Sequence, residues 1–226
     1  MPTIHDPAVS LTDAALGAEA AWFAARLGRR PSVPHDARRQ ALRRSFVGFF
    51  VATSVASTAG AILHGLVPDR TSLVHRMLWR TSLIAIGAGA LTGWSIGARL
   101  LLPAAPAARV ERLAATEFVA YALVAAATTL PYRAAIANYL PAAAFLGIGF
   151  IPHARRPGGG PAAGHGLAGL GLTAVAAVVQ ARNLRIGPRW LDHNALYHLI
   201  QAVAIAAFHR SATRLLDEAP TEGAAR

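Results

Sequence analysis

Long apolar segments alternate with short polar ones along most of the 226-residue chain. A membrane-spanning helix needs about 20 mostly apolar residues to cross a hydrocarbon core of about 30 Å. Six clear spans are predicted, at about 46–67, 75–102, 112–131, 134–152, 164–182 and 193–215. A seventh segment at 9–27 is weaker, because it carries Asp13 and Glu19 and a carboxylate near the centre of a membrane-spanning helix costs about 2.5–3.5 kcal/mol. We therefore expect an all-α fold, a polytopic membrane helical bundle of seven transmembrane helices, with the first helix weaker than the other six.

The composition agrees with this pattern. Hydrophobic residues make up 54% of the chain and charged residues 15%, and the mean hydropathy is +0.39. Soluble domains usually contain about 25% charged residues. The formal charge of +11 would suit nucleic acid, but the arginines cluster between apolar segments without interleaved aromatic residues, which favours membrane-flanking charge. We expect one transmembrane domain over 1–226 with a flexible tail at 216–226, membrane lipids as partners, and no nucleic acid.

The distribution of arginines predicts an orientation. With seven spans and the N-terminus outside, fifteen arginines face inward and seven face outward, as the positive-inside rule requires. The strongest contribution is the first loop, RLGRRPSVPHDARRQALRRS, with seven arginines and one aspartate. Six spans with residues 1–45 in the cytoplasm would leave the rest oriented the same way. We expect a bacterial inner-membrane protein with a cytoplasmic C-terminus and no cleavable signal peptide.

Polar residues inside the predicted spans concentrate at their outward ends. His64 ends the second span, His75 begins the third, and Asn194 and His198 lie near the start of the seventh. Asp13, near the outward start of the first span, can join them. The predicted topology thus brings imidazoles from three segments to one face of the membrane at similar depth.

The segment WLDHNALYHLIQ has a helical order of its own. Asn194 and His198 are four residues apart and share one face with Gln201, whereas His193 points elsewhere. Asp192 is expected to cap the helix N-terminus. Three imidazoles with an oxygen donor suit a catalytic zinc site, although interface histidines also serve simply to bond backbone carbonyls. Because polar groups inside membranes are costly, the set indicates a metal site or another polar functional site.

The span layout and three short motifs resemble the CREST superfamily of seven-span membrane hydrolases, which includes the alkaline ceramidases and the adiponectin-receptor-like proteins. The family pattern is SxxxH at the end of the second span, an aspartate near the start of the third, and HxxxH in the seventh. Here GAILH at 60–64, His75 and NALYH at 194–198 stand at these positions. His64 and His198 match outright. Gly60 replaces the serine, His75 the acid, and Asn194 a zinc-ligand histidine.

The resemblance implies a zinc-dependent hydrolase acting on a lipid amide or ester, and a divergent bacterial member of that group. We expect His75 to supply the third imidazole. The predicted metal ligands are His64, His75, Asn194 and His198, and the predicted proton-relaying acids are Asp13 and Glu19. One alternative is a lipid-binding or structural seven-span protein that has lost the metal. A small-solute transporter is less favoured, because transporters place their polar layer at the midplane.

Overall fold

The computed structural model describes residues 4–31, 36–155, 160–186 and 192–218. Their regular secondary structure is helical, which confirms the all-α prediction. The described residues form seven helices: α1 (Pro7–Gly28), α2 (Ala37–Leu66), α3 (Leu73–Leu101), α4 (Ala104–Ala127), α5 (Tyr132–Ala154), α6 (Gly160–Arg182) and α7 (His193–Asp217). Four of them, α2, α3, α5 and α6, are long and apolar enough to cross a membrane.

Side-chain caps fix three of the helix starts. Asp36, Ser72 and Asp192 each accept a hydrogen bond from the backbone N–H three residues on, at 2.8, 3.1 and 2.8 Å. Such caps satisfy donors that the first helical turn leaves without partners. The predicted capping role of Asp192 is confirmed. Pro103 and Pro131 precede α4 and α5, where a chain that is not yet helical tolerates proline.

The helices pack as a closed bundle. α1 contacts α2 and α7, α2 contacts α3, α3 contacts α5, α5 contacts α6, and α6 contacts α7, while α4 lies outside the bundle against α3. Bonds between the ends of α5, α6 and α7 show that neighbours run in alternating directions: Tyr132 Oη lies 3.4 Å from Tyr197 Oη, and Gln180 donates to Asn194 Oδ1 at 2.6 Å. The N-termini of α1, α3, α5 and α7 therefore lie at the same end of the bundle as the C-terminus of α2. This end is called the His64 end.

The opposite half of the bundle holds the apolar core. Phe46, Phe50 and Phe150 are fully buried there, on helices α2 and α5. His209 of α7 stacks on Phe23 of α1 with ring centroids 4.2 Å apart, so this imidazole belongs to the aromatic packing. Phenylalanine rings and apolar side chains fill most of this half, together with the buried Ser211, which donates to the Ala162 carbonyl. The buried Asp13 of α1 and His198 of α7 lie at the His64 end.

Candidate functional site

An aspartate–histidine pair joins α1 to α7 at the His64 end. His198 Nε2 lies 3.4 Å from Asp13 Oδ1, and His198 Nδ1 lies 3.3 Å from Thr12 Oγ1. Asp13 is 4% and His198 8% exposed. At a rise of 1.5 Å per residue, both lie roughly 8–9 Å inside their helix ends. Both ring nitrogens of His198 thus face polar atoms of α1.

His198 faces α1 through both of its ring nitrogens. Thr12 Oγ1 lies 2.8 Å from the Ala8 carbonyl and 3.3 Å from His198 Nδ1, and the tautomer of the ring sets which atom donates in the second contact. The Nε2 atom lies 3.4 Å from Asp13 Oδ1, within ion-pair distance. Such a pair can hold a proton or pass it on.

Helix α2 completes the surroundings of Asp13. Ser57 is 7% exposed and hydrogen-bonds to the Asp13 carboxyl group. Gly60 lies one turn further along the same face, and a Cβ atom there would overlap Asp13 Oδ2. The carboxyl group therefore packs on bare backbone, in space that only glycine leaves open. We call Thr12, Asp13, Ser57 and His198 the polar cluster.

His64 lies at the edge of the polar cluster. It is half-buried, one turn past Gly60, and close enough to His198, Asp6 and Asp192 to interact with them electrostatically. Its backbone carbonyl accepts a hydrogen bond from the Asp6 N–H at 3.2 Å, which ties the start of α1 to the end of α2. Two predicted residues, His64 and His198, are thus brought together, along with Asp13.

His75 lies apart from this group. Its backbone N–H is bound by the Ser72 cap, its ring lies 6.5 Å from the Trp79 ring, and its Nδ1 atom is buried without a hydrogen-bond partner. Its charged neighbour is Asp69 in the α2–α3 loop. Hydrogen bonds from the Thr71 hydroxyl and N–H lower the pKa of Asp69, and the nearby His75 lowers it further.

Asn194 and Glu19 also face away from the polar cluster. The side chain of Asn194 is bound by Gln180 of α6, and Gln201 donates to Tyr197 Oη at 3.3 Å. The three residues that share a helix face in the sequence thus contact three different neighbours. Glu19 is half-buried, and at 100° per residue its side chain points about 120° away from that of Asp13 around α1.

The predicted three-histidine zinc site does not fit this arrangement. Within the described residues, no group of three or more histidine, aspartate or glutamate side chains is close enough together to hold a metal ion. His75 contacts Trp79 and Asn194 contacts Gln180, so neither is aimed at His198. A catalytic zinc needs three protein ligands around one position. Asp13, His64 and His198 remain as candidate site residues, without His75.

Two contributors to the site, Ser57 and Thr12, are not predicted from the sequence. A serine inside an apolar helix is as typical of close helix packing as of a functional site. Thr12 lies 186 residues from His198 in the chain, so no local spacing indicates their contact. The signal available for Thr12 was its position beside Asp13 on a helix whose buried face is otherwise small or apolar.

Comparison with known proteins gives a family without a function. A family model described as a family of unknown function, DUF6962, matches residues 8–217, so the chain belongs to that family. No curated protein and no solved structure matches the chain. The matched region covers every described helix almost completely, including α1 and α7, which together supply three residues of the polar cluster.

Proposed function

We propose that this DUF6962 protein is a seven-span integral membrane protein that binds lipid without hydrolysing it, and that its polar cluster locks α1 to α7 and α2. The Asp13–His198 contact carries the proposal, because both nitrogens of the His198 ring are turned towards α1. In a CREST-type hydrolase the equivalent histidine would coordinate zinc through a ring nitrogen. Here the Nε2 atom of His198 faces the Asp13 carboxyl group instead.

Helices α1, α4 and α7 are proposed to span the membrane with the other four. They contain 22, 24 and 25 residues, which at 1.5 Å per residue gives about 33–38 Å, enough for a hydrocarbon core of about 30 Å. The polar residues that reduce the hydropathy of α1 and α7 include the buried Asp13 and His198. Their outer faces carry exposed apolar side chains, among them Leu11, Trp22 and Val203. Helices with polar residues inside and apolar residues outside suit a lipid environment.

Cysteine labelling tests the seven spans, because the chain contains no cysteine of its own. His5→Cys and Thr71→Cys place a thiol at the His64 end, and Ala105→Cys places one at the opposite end. With the N-terminus outside, a membrane-impermeant reagent labels the first two in intact cells, and labels Ala105→Cys only after permeabilisation. Protection of His5→Cys in intact cells would exclude the first span while leaving the other six.

Metal content and stability test the polar cluster. We expect the full chain, purified in detergent without chelators, to contain far less than one zinc per molecule. His198→Gln and Asp13→Asn each remove one partner of a buried polar contact, so each should lower the unfolding free energy by about 1–3 kcal/mol, with or without added zinc. The double variant should cost less than the sum of the two. His165→Gln is the matched control, because this half-buried ring lies outside the polar cluster and bonds to the Pro161 carbonyl of its own helix.

A zinc-dependent lipid amide or ester hydrolase is the second candidate, and one distance favours it. Two ligands on the same tetrahedral zinc, with bonds of about 2.0–2.1 Å, are about 3.3–3.4 Å apart, and Asp13 Oδ1 and His198 Nε2 are 3.4 Å apart. Thr12 would then orient the ring from behind, as outer partners of metal-bound histidines do. This candidate requires the His64 imidazole to move into coordination distance.

The two candidates predict opposite results. One zinc per chain that is lost in His64→Ala and His198→Ala, but kept in His75→Ala, would establish the hydrolase ligand set and reject the metal-free cluster. An absence of bound zinc, together with zinc-independent losses of stability, would reject the hydrolase.

A further inference from the structure

The end of the bundle opposite His64 contains an open pocket of about 410 Å³. Three arginines and one acid surround it: Arg30 follows the end of α1, Arg39 and Arg43 lie on the first turns of α2, and Asp217 ends α7. Pro31 and Leu216 add apolar edges. None of these residues belongs to the polar cluster, and the volume lies within the roughly 300–1,000 Å³ range of small-molecule sites.

Two of the arginines are held in place by hydrogen bonds to backbone carbonyls that lie just beyond the ends of α1 and α7. Arg43 donates to the Arg30 carbonyl, and Arg39 donates to the Glu218 carbonyl as well as pairing with Asp36 at 3.1 Å. Part of their role is thus to cap the ends of α1 and α7, where carbonyls lack helical partners. Capping also positions the guanidinium groups, so less side-chain entropy would be lost when an anion binds.

Arg30 already binds an oxyanion in this structure. Its two terminal nitrogens lie 2.8 and 3.4 Å from the two carboxylate oxygens of Asp217. The Asp217 side chain is 62% exposed and stands on the last residue of its helix. A forked guanidinium recognises a phosphate with the same two-point geometry as a carboxylate. Asp217 therefore shows how a phosphate would sit, and also competes with it.

The pocket lies where phospholipid headgroups would be. α2 has 30 residues and is about 45 Å long, so about 15 Å of it extends beyond a 30 Å hydrocarbon core. The arginine-rich start of α2 is the polar part, and its charge predicts the cytoplasmic side. Basic pockets between helices on that side bind anionic headgroups.

We propose that this pocket binds the phosphate of an anionic phospholipid headgroup, with Arg30, Arg39 and Arg43 contacting the phosphate and Pro31 and Leu216 contacting the glycerol end. The inference rests on the proposed membrane-spanning, lipid-binding function and names its ligand class. It does not depend on the polar cluster, which lies at the other end of the bundle.

Lipid titration of the full chain in detergent tests the site, with binding followed by native mass spectrometry. The lipids are phosphatidylglycerol and phosphatidylcholine, and inorganic phosphate is titrated separately. We expect tighter binding of phosphatidylglycerol, weakened about fivefold by Arg30→Gln or Arg39→Gln, which corresponds to about 1 kcal/mol for each arginine near a membrane surface. Asp217→Asn removes the competing carboxylate and should tighten binding by a similar factor. Arg109→Gln is the matched control, since this exposed arginine of α4 lies at the same end, away from the pocket.

Each outcome decides the proposal. Equal binding of the two lipids, or equal losses in Arg109→Gln and the pocket variants, would overturn it. Inorganic phosphate that saturates the pocket without any preference for phosphatidylglycerol would assign the pocket to a free anion and overturn the lipid source. If Arg39→Gln fails to fold because a cap is lost, Asp217→Asn still decides through its gain in affinity. The cysteine labelling separately reports whether the protein spans the membrane, so failure there is distinguishable from failure of the pocket.

Discussion

Replacing Gly60 by alanine tests the geometry of the polar cluster more directly than removing any of its polar groups. The added Cβ atom would overlap Asp13 Oδ2, and the carboxyl carbon would be 3.1 Å away. The carboxyl group must then move away from α2, which strains its contacts with Ser57 and His198. The substitution adds no charge and removes no hydrogen-bonding group, so its effect reports the packing of α1 on α2.

The expected cost follows from two opposed contributions. Glycine-to-alanine replacement inside a helix ordinarily stabilises it by about 0.5–1 kcal/mol, whereas overpacking a tight contact costs about 1–3 kcal/mol. Displacing a buried carboxyl group from its partners adds about 1–3 kcal/mol. The overpacking and displacement costs together outweigh the gain in helix propensity, and we expect a net loss of about 1–5 kcal/mol. Gly171→Ala is the control, because its Cβ would meet nothing within 4 Å.

Thermal unfolding of the purified chain in detergent measures this loss. One kcal/mol corresponds to about 2–4 °C in a chain of this size, so Gly60→Ala should unfold several degrees below the parent and below Gly171→Ala. Asp13→Ala removes the atoms that clash, so adding Gly60→Ala to it should cost little or nothing further. A Gly60→Ala variant as stable as Gly171→Ala, or one whose cost stays the same in the Asp13→Ala background, would refute the proposed packing.

Three further predictions concern contacts outside the polar cluster. Asp192→Ala should lower the unfolding free energy by about 1 kcal/mol through loss of the α7 cap, and Asp192→Asn should retain most of it; equal losses in a denaturation series would argue against capping. Arg99 Nε lies 2.6 Å from Glu111 Oε1, so a double-mutant cycle with glutamine at each position should give a coupling of about 0.5–1 kcal/mol, and additivity would contradict it. His209→Phe should keep the stacking on Phe23, whereas His209→Ala should cost about 1 kcal/mol in thermal unfolding, and a protein indifferent to both would place the ring at the lipid interface instead.

The helices could be predicted from the sequence because each depends mainly on its own residues. Apolar length, proline and capping aspartate are local signals, and the seven predicted segments correspond to seven helices. The bounds differ most at α2, which begins at Ala37 rather than at 46. Arginines 38, 39, 43 and 44 continue the helix, because a helix need not end where the apolar residues do. Hydropathy locates the membrane-facing part of a helix and leaves its polar extension unpredicted.

The candidate site could be predicted only in part, because it depends on contacts between helices. Depth along each helix is readable from the sequence, and it correctly brings Asp13, His64 and His198 to one end. Rotation about each helix axis is set by packing, which decides that His75 faces Trp79 and that Asn194 faces Gln180. A shared depth along the helices is therefore not sufficient to bring side chains into contact.

Gly60 and Asp13 have to be interpreted together. The Asp13 carboxyl group of α1 occupies the space beside the Gly60 backbone and faces His198 of α7. A side chain at position 60 would overlap that carboxyl group, and removal of the carboxyl group would leave a gap beside Ser57. The residues at positions 13 and 60 are therefore sterically coupled, so that a substitution at one of them changes which side chains the other can accept.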